Sequence, residues 1–200
     1  MSMRSLFKSI ITEFHQGNWP KPIPRNLDLP TLPAHVRKAI IFIGMRRSGK
    51  SWTMYQIMQM LLQQGINKTQ CLYINFSDER LLNMQAQDFQ DILDAYYELY
   101  PEYVDYPAGQ LHFFFDEIQE IAGWEKFIRR LLDTESAKLY ISGSSAKMLS
   151  SEIATVLRGR TLVREIFPFD FRVYLRAYAT EVEVNHHLTS KKKSVLRHHL

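Results

Sequence analysis

Two glycines, a lysine and a serine carry the clearest chemical signal in the chain. Gly44 and Gly49 bracket Met45, Arg46, Arg47 and Ser48, and Lys50 and Ser51 follow directly. This spacing fits G-x-x-x-x-G-K-[ST], the phosphate-binding P-loop or Walker A pattern. Glycine lets a backbone turn tightly and approach phosphate oxygens with no side chain in the way. The loop N–H groups and the following helix N-terminus then face the anion. Lys50 supplies a mobile positive charge for β- and γ-phosphates, and Ser51 a hydroxyl for Mg²⁺. The bland alternative is a glycine turn between a strand and a helix.

A second cluster lies about 65 residues further on, where the apolar run Leu111 to Phe115 ends in Asp116 and Glu117. A carboxylate at the C-terminal end of a parallel strand sits where open α/β sheets bind ligands. There Asp116 can hold Mg²⁺ opposite Ser51. Glu117 can accept a proton from an attacking water, or orient it. Acids at a strand end are common. The P-loop upstream makes this pair the expected Walker B partner.

These groups need elements to hold them. Ala39 to Ile43 is an unbroken apolar run, read as a buried parallel strand. Trp52 to Leu62 carries Met54, Ile57, Met58, Leu61 and Leu62 at helical spacing, with Gly65 as a stop. Gln70 to Phe76, Leu111 to Glu117, Ala137 to Ser142 and Thr161 to Ile166 read as four further strands. Between them, Asp88 to Tyr100 and Trp124 to Leu132 read as amphipathic helices. Arg129 and Arg130 fall on the wet side of the latter. Strands alternating with helices predict a doubly wound, three-layer α/β/α fold with a mainly parallel five-stranded sheet. Glu152 to Leu157 reads as a short helix, and Asp170 as the N-cap of a last one.

The flanks differ in character. Ser2 to Phe14 reads as an amphipathic helix that docks on the domain or on a partner. Five of the eight prolines fall between Pro20 and Pro33, an extended connector. The expected division is residues 1–35 as helix and connector, 36–180 as an ATPase core, and 181–200 as a basic, flexible tail. After Glu183 the chain carries Lys191, Lys192, Lys193 and Arg197 and no acid, which accounts for the whole formal charge of +4 and leaves the rest of the chain electroneutral. That gives weak support for nucleic-acid binding, and a solvated tail is the preferred reading. His186, His187, His198 and His199 lie there without metal-ligand spacing.

Cys71 is the only cysteine, which excludes an intrachain disulfide, and it reads as a small packed hydrophobe. No apolar stretch is long enough to span a bilayer and no signal-peptide pattern opens the chain. A cytoplasmic location without membrane contact is expected. The tyrosines from Tyr96 to Tyr106 can stack bases, although packing is the commoner use.

The order of P-loop, acidic strand end and hydroxyl-bearing fourth strand resembles the additional-strand P-loop ATPases, including AAA+ proteins. The runs Ile43 to Ser51, Tyr73 to Arg80, Phe115 to Gln119, Ser142 to Ser145 and Leu157 to Arg160 look like a prokaryotic AAA-type ATPase family. The resemblance covers about residues 36 to 179. It implies a sheet in which the P-loop strand and the Asp116 strand flank the Ser142 strand, with the second strand beside that of Asp116. It puts Asn75 near Glu117, where its amide either holds the carboxylate or is satisfied by backbone. It puts Ser142 or Ser144 at a position that senses phosphate or water. Arg158 and Arg160 become candidates for a finger acting on a neighbouring subunit, or else are surface arginines. Members usually carry a C-terminal domain of unknown function, which is expected to be missing here, so that the chain is a compact or truncated product.

The expected activity is Mg-dependent ATP hydrolysis that switches a contact with an unknown protein partner or with a second copy. The alternatives are a nucleotide- or nucleic-acid-binding remnant without turnover, and a P-loop kinase. A water-activating Glu117 argues against the kinase. ATP over other nucleotides rests on the resemblance alone.

Overall fold

The structure, a computed structural model, describes residues 2–27, 29, 33, 36–144 and 156–168. Five strands form one sheet: Ala39–Gly44 (β1), Cys71–Asn75 (β2), His112–Asp116 (β3), Lys138–Ser144 (β4) and Thr161–Glu165 (β5). Their spatial order is β2-β3-β4-β1-β5, and every neighbouring pair is parallel. The continuous apolar runs are the cause. A strand covered on both faces has no wet side to fill with polar residues, and β1 and β3 are buried along their whole length. The P-loop strand and the Asp116 strand therefore flank β4, and β2 lies beside β3, as the resemblance implied.

Helices cover both faces. Lys50–Gln63 (α2) packs Met54, Ile57 and Met58 on Ile40, Phe42, Phe114 and Tyr140. On the other face, Phe89–Leu99 (α3) and Trp124–Thr134 (α4) set Ile92, Phe127, Ile128 and Leu131 against Leu72, Phe113, Phe115 and Ile141. Each fully buried side chain of this size contributes about 1.5–3 kcal/mol relative to exposure. Arg129 and Arg130 are exposed on the outer side of α4. The tyrosines of α3 and the turn after it pack on one another and on the core: Tyr96 is fully buried, and its hydroxyl donates to the Thr69 carbonyl at 2.7 Å.

The N-terminal helix, Met3–Gln16 (α1), docks on this domain. It lies along the β2 edge, with Phe7, Ile10 and Ile11 in the core of one face and Phe14 against the cluster of the other. Arg4 reaches three acids of α3, Asp91, Asp94 and Glu98. His15 is buried between Tyr100 and the Cys71 carbonyl. Since a carbonyl only accepts, Nε2 carries the proton and Nδ1 accepts from the Tyr100 hydroxyl at 2.7 Å. Burial, and then the nearby Lys68 charge, push the His15 pKa down and keep the ring neutral.

Among the described residues from 18 to 38 none is in a helix or strand, as prolines at this density require. Cys71 is buried as a packed thiol, its pKa pushed up to about 12 by desolvation. Ser145, most of the expected helix up to Leu157, the helix after Asp170 and the basic tail lie outside the described residues.

Candidate functional site

The C-terminal ends of β3, β4 and β1 stand side by side, and the candidate groups gather there. Gly44 ends β1 with φ of +153°, and a Cβ on it would come within 2.2 Å of the Ile166 carbonyl oxygen. Gly49 precedes α2 with φ of +95°, and a Cβ there would meet the Arg25 guanidinium at 2.4 Å. Gly44 therefore excludes any side chain, while at Gly49 the left-handed backbone strains one. Gly49 offers no side-chain cap to α2, so the first N–H groups of the helix are left for an anion. Ser48 is fully buried, with its hydroxyl unpaired. Met45, Arg46 and Arg47 are exposed on the outer turn of the loop, and Arg47 holds φ of +66°.

Lys50 is only 5% exposed, a burial that a lysine rarely tolerates unless it is paired. Its Nζ lies 3.4 Å from the Gly44 carbonyl, 3.3 Å from that of Met45 and 3.5 Å from Glu117 Oε1. Ser51 is half-buried at the start of α2.

Asp116 is 2% exposed and accepts from two hydroxyls. Ser142 donates to Oδ1, and Tyr73 donates to Oδ2 at 2.9 Å. Ser142 Oγ in turn accepts the Glu117 N–H at 3.1 Å, so one buried hydroxyl of β4 orients both acids. Asp116, Ser142 and Tyr73 share the sheet face of Phe114, Tyr140 and α2, because alternate residues of a strand point the same way. Burial first, and then the Asp116 charge, raise the Tyr73 pKa far above its ordinary value, so its hydroxyl remains a donor.

Glu117 adopts the left-handed conformation, φ +52° and ψ +40°. A non-glycine residue held there costs of order 1–3 kcal/mol and persists only where its surroundings over-determine it. Here the Ser142 bond fixes its backbone, while Gln119 Nε2 donates to its Oε2 at 2.7 Å. The turn aims the carboxylate toward Lys50.

The remaining candidates are placed as follows. Asn75 is level with Asp116 across β2 and β3, but its Oδ1 accepts the Ser77 N–H at 3.0 Å, and the amide bonded to Glu117 is that of Gln119. Ser144 is level with Gly44 at the end of β4. Arg158 and Arg160 are not brought to this end. The Arg160 carbonyl accepts the Ala39 N–H at the start of β1, and its side chain pairs with Asp133. At the strand rise, that is about 20 Å from the P-loop. Arg158 is exposed in the same turn.

Tyr73, Gln119 and Arg25 belong to the site, and the sequence reading gave none of them a role in it. Tyr73 had one legible sign, a hydroxyl inside an otherwise apolar strand. Gln119 and Arg25 had none, since a turn and a distant connector bring them in.

The residues fit a magnesium nucleotide. The orphaned Ser48 hydroxyl, the Gly44 and Gly49 cradle and the uncapped helix suit phosphate. The described residues hold no group of three or more His, Cys, Asp or Glu able to bind a metal alone. Two oxygen donors, Ser51 and Asp116, suit Mg²⁺, a hard cation that keeps waters and uses substrate phosphates. No helix among the described residues is long and apolar enough to cross a membrane.

Comparison with known proteins matches residues 36–175 to the family described as AAA domain. An uncharacterized protein, MJ1544, of Methanocaldococcus jannaschii is 35% identical over 156 residues, 78% of this chain and 32% of its own length. An uncharacterized protein of Haemophilus influenzae is 37% identical over 138 residues, 68% of this chain and 33% of its own. The chain thus spans about a third of the length of the curated relatives it matches.

Proposed function

Because the chain belongs to the AAA domain family, we propose that it binds ATP with Mg²⁺ at the P-loop and hydrolyses it, the nucleotide state switching a contact with a protein partner or a second copy. One observation carries this reading: the buried Lys50 faces Glu117 at 3.5 Å, beside an Asp116 held by Ser142 and Tyr73. In this reading a cation for phosphate, an acid for a metal and an acid for water meet at the C-terminal end of the sheet.

In this reading the loop from Gly44 to Ser51 holds the triphosphate, and Lys50 exchanges the Gly44 and Met45 carbonyls for phosphate oxygens. Ser51 and Asp116 hold Mg²⁺, which when bound neutralises charge on the phosphate oxygens. Glu117 takes a proton from water as the water oxygen bonds to the γ-phosphorus. The bond from that phosphorus to the β–γ bridging oxygen breaks, and the electron pair leaves with ADP. Ser142 orients both acids, and in this reading Ser144, level with Gly44, and Asn75, level with Asp116, are the groups that meet phosphate or water. Arg158 and Arg160 act, if at all, on another molecule's site. The position of Arg160 favours a second reading, binding without turnover in the isolated chain.

The test is phosphate release and ATP binding by wild type, Lys50→Ala and Glu117→Gln. Hydrolysis by wild type, loss of binding in Lys50→Ala and binding without turnover in Glu117→Gln are expected. Binding without phosphate release by wild type at any protein concentration would select the second reading. ATP turnover unaffected by Lys50→Ala would sink both.

A further inference from the structure

At the other end of the sheet, where β3 and β4 begin, lies a cleft of about 290 Å³ that the nucleotide reading does not use. Tyr97, Tyr103 and Tyr106 line it, with the carboxylates Asp105 and Glu135 and the Thr134 hydroxyl. No lysine, arginine or histidine lines it, and among the described residues no cation pairs with Asp105 or Glu135. Asp105 is exposed on its loop. Glu135 Oε2 accepts from the Tyr97 hydroxyl at 2.5 Å, which fills one of about four lone-pair sites of a carboxylate. Burial first, and then the Glu135 charge, raise the Tyr97 pKa far above its ordinary value, so this hydroxyl stays a donor.

Two helices end at this cleft. Tyr97 lies in the last turn of α3, and Glu135 is the C-cap of α4. A helix C-terminus carries partial negative charge that a basic residue in the last turn complements, and neither helix has one. The walls are aromatic and held in place. Tyr103 is buried, its hydroxyl bonded to that of Thr69 at 2.7 Å, and the Tyr106 ring meets it at 75° with centroids 4.9 Å apart. Val104, in the same lining, is 58% exposed. A negative field suits a cation, ring faces attract one further, and an apolar side chain covers its hydrocarbon stem. The acids repel a phosphate backbone, so these tyrosines are poorly placed to stack the bases of a nucleic acid. Two acids without a third ligand suit a metal ion no better.

We propose that this cleft binds an organic cation, a guanidinium or alkylammonium group on a hydrocarbon stem, with Glu135 and Asp105 as its counter-charges and the Tyr97 and Tyr106 rings as its walls. Such a group is carried by a free polyamine-like molecule or by a basic side chain of another protein chain. The site lies at the opposite end of the strands from the P-loop and does not depend on the reading of that loop.

The experiment is NMR of the full chain with ring-labelled tyrosines, titrated with agmatine, with a blocked Gly-Arg-Gly tripeptide, with Ca²⁺ and with NaCl at matched ionic strength. Agmatine is expected to shift the Tyr97 and Tyr106 rings saturably, with a Kd below about 10 mM, and NaCl is not. Glu135→Gln weakens agmatine roughly 10- to 150-fold, the range of a lost charge-assisted hydrogen bond. Tyr106→Leu weakens it roughly 2- to 30-fold, the range of a lost cation–π contact. Asp105→Asn, on the exposed loop and outside the core, weakens it about two- to fivefold. A tripeptide that binds as well as agmatine supports the proposal with a protein side chain as the source. Agmatine binding without the tripeptide supports it with a free amine as the source. The proposal falls if neither cation gives a saturable ring shift, or if Ca²⁺ shifts the rings while agmatine does not. It falls equally if Glu135→Gln and Asp105→Asn, with wild-type melting temperatures, both bind agmatine like wild type.

Discussion

Lys50 and Glu117 form an ion pair between neighbouring elements of the site, Nζ to Oε1 at 3.5 Å, with the lysine almost wholly buried. The proposed base of hydrolysis therefore competes for the ammonium that would meet the phosphates. Glu117→Gln removes this competition while retaining shape. A partly exposed pair is worth up to about 1 kcal/mol, so ATP affinity is expected to rise about two- to fivefold. Turnover falls at least about 100-fold, the size of a lost general base. Calorimetry and phosphate release on the same preparation check both. A fall in affinity alongside turnover would mean that Glu117 supports the loop rather than opposing it.

Tyr73 is the least expected member of the site. Tyr73→Phe leaves the volume of the aromatic cluster unchanged and deletes one of the two hydroxyls on the buried Asp116. Hydrogen bonds to charged groups are worth about 1.5–3 kcal/mol, and a loss of that size is expected in urea unfolding. The Mg²⁺ concentration needed for half-maximal phosphate release should rise as well. An unchanged magnesium dependence with reduced stability would make Tyr73 a packing residue only.

His112 predicts the acid limb of stability. It is buried at the start of β3 with Nδ1 unpaired, and desolvation, then the Lys138 charge, lower its pKa to about 3. An unfolded histidine titrates near 6.5. Between these values the unfolded chain binds more protons, so stability is complete above about pH 6.5 and is lost as the pH falls toward 3. At pH 5 the loss from this residue is about 2 kcal/mol. His15, shifted in the same direction, adds to it. His112→Phe should flatten the fall between pH 6.5 and 5 without lowering stability at pH 7.5. Equal acid sensitivity of the two proteins would place the titration elsewhere.

The three acids facing Arg4 should make the docking of α1 sensitive to salt. In Arg4→Gln, amide exchange from Phe7 to Phe14 is expected to quicken, and about 0.5 M salt should quicken it in wild type. Amides of α2 serve as the unchanged reference. If neither treatment alters exchange, burial of Phe7, Ile10 and Ile11 holds the helix alone.

The strands and the phosphate loop were legible because they are local signals. Ala39 to Ser51 contains its own strand, turn and helix start, and Leu111 to Glu117 contains its own strand and acids. The neighbours of β4 came from the resemblance, since nothing local tells a strand who lies beside it. What escaped the reading depends on registers and turns far apart in the chain. Tyr73 reaches Asp116 from the adjacent strand, Gln119 reaches Glu117 through a left-handed turn, and Arg25 crosses to Gly49 from a proline-rich segment. Arg158 and Arg160, which the resemblance offered as a finger for a neighbouring subunit or as surface arginines, stand at the end of the sheet away from this chain's own loop, where the parallel register of β5 sets them.

The interior position of β1, between β4 and β5, has a consequence for how the chain is made. Both of its partners, β4 and β5, come later, and the nearer one begins about 95 residues further along. At a synthesis rate of about 5–20 residues per second, the bare run from Ala39 to Ile43 waits roughly 5–20 s for its first neighbour. Meanwhile β2, α3 and β3 can assemble from contacts much closer in sequence. The phosphate loop, first among these elements to be translated, is thus among the last to be built. A nascent-chain pull or protease assay should find it unformed until β4 has left the ribosome.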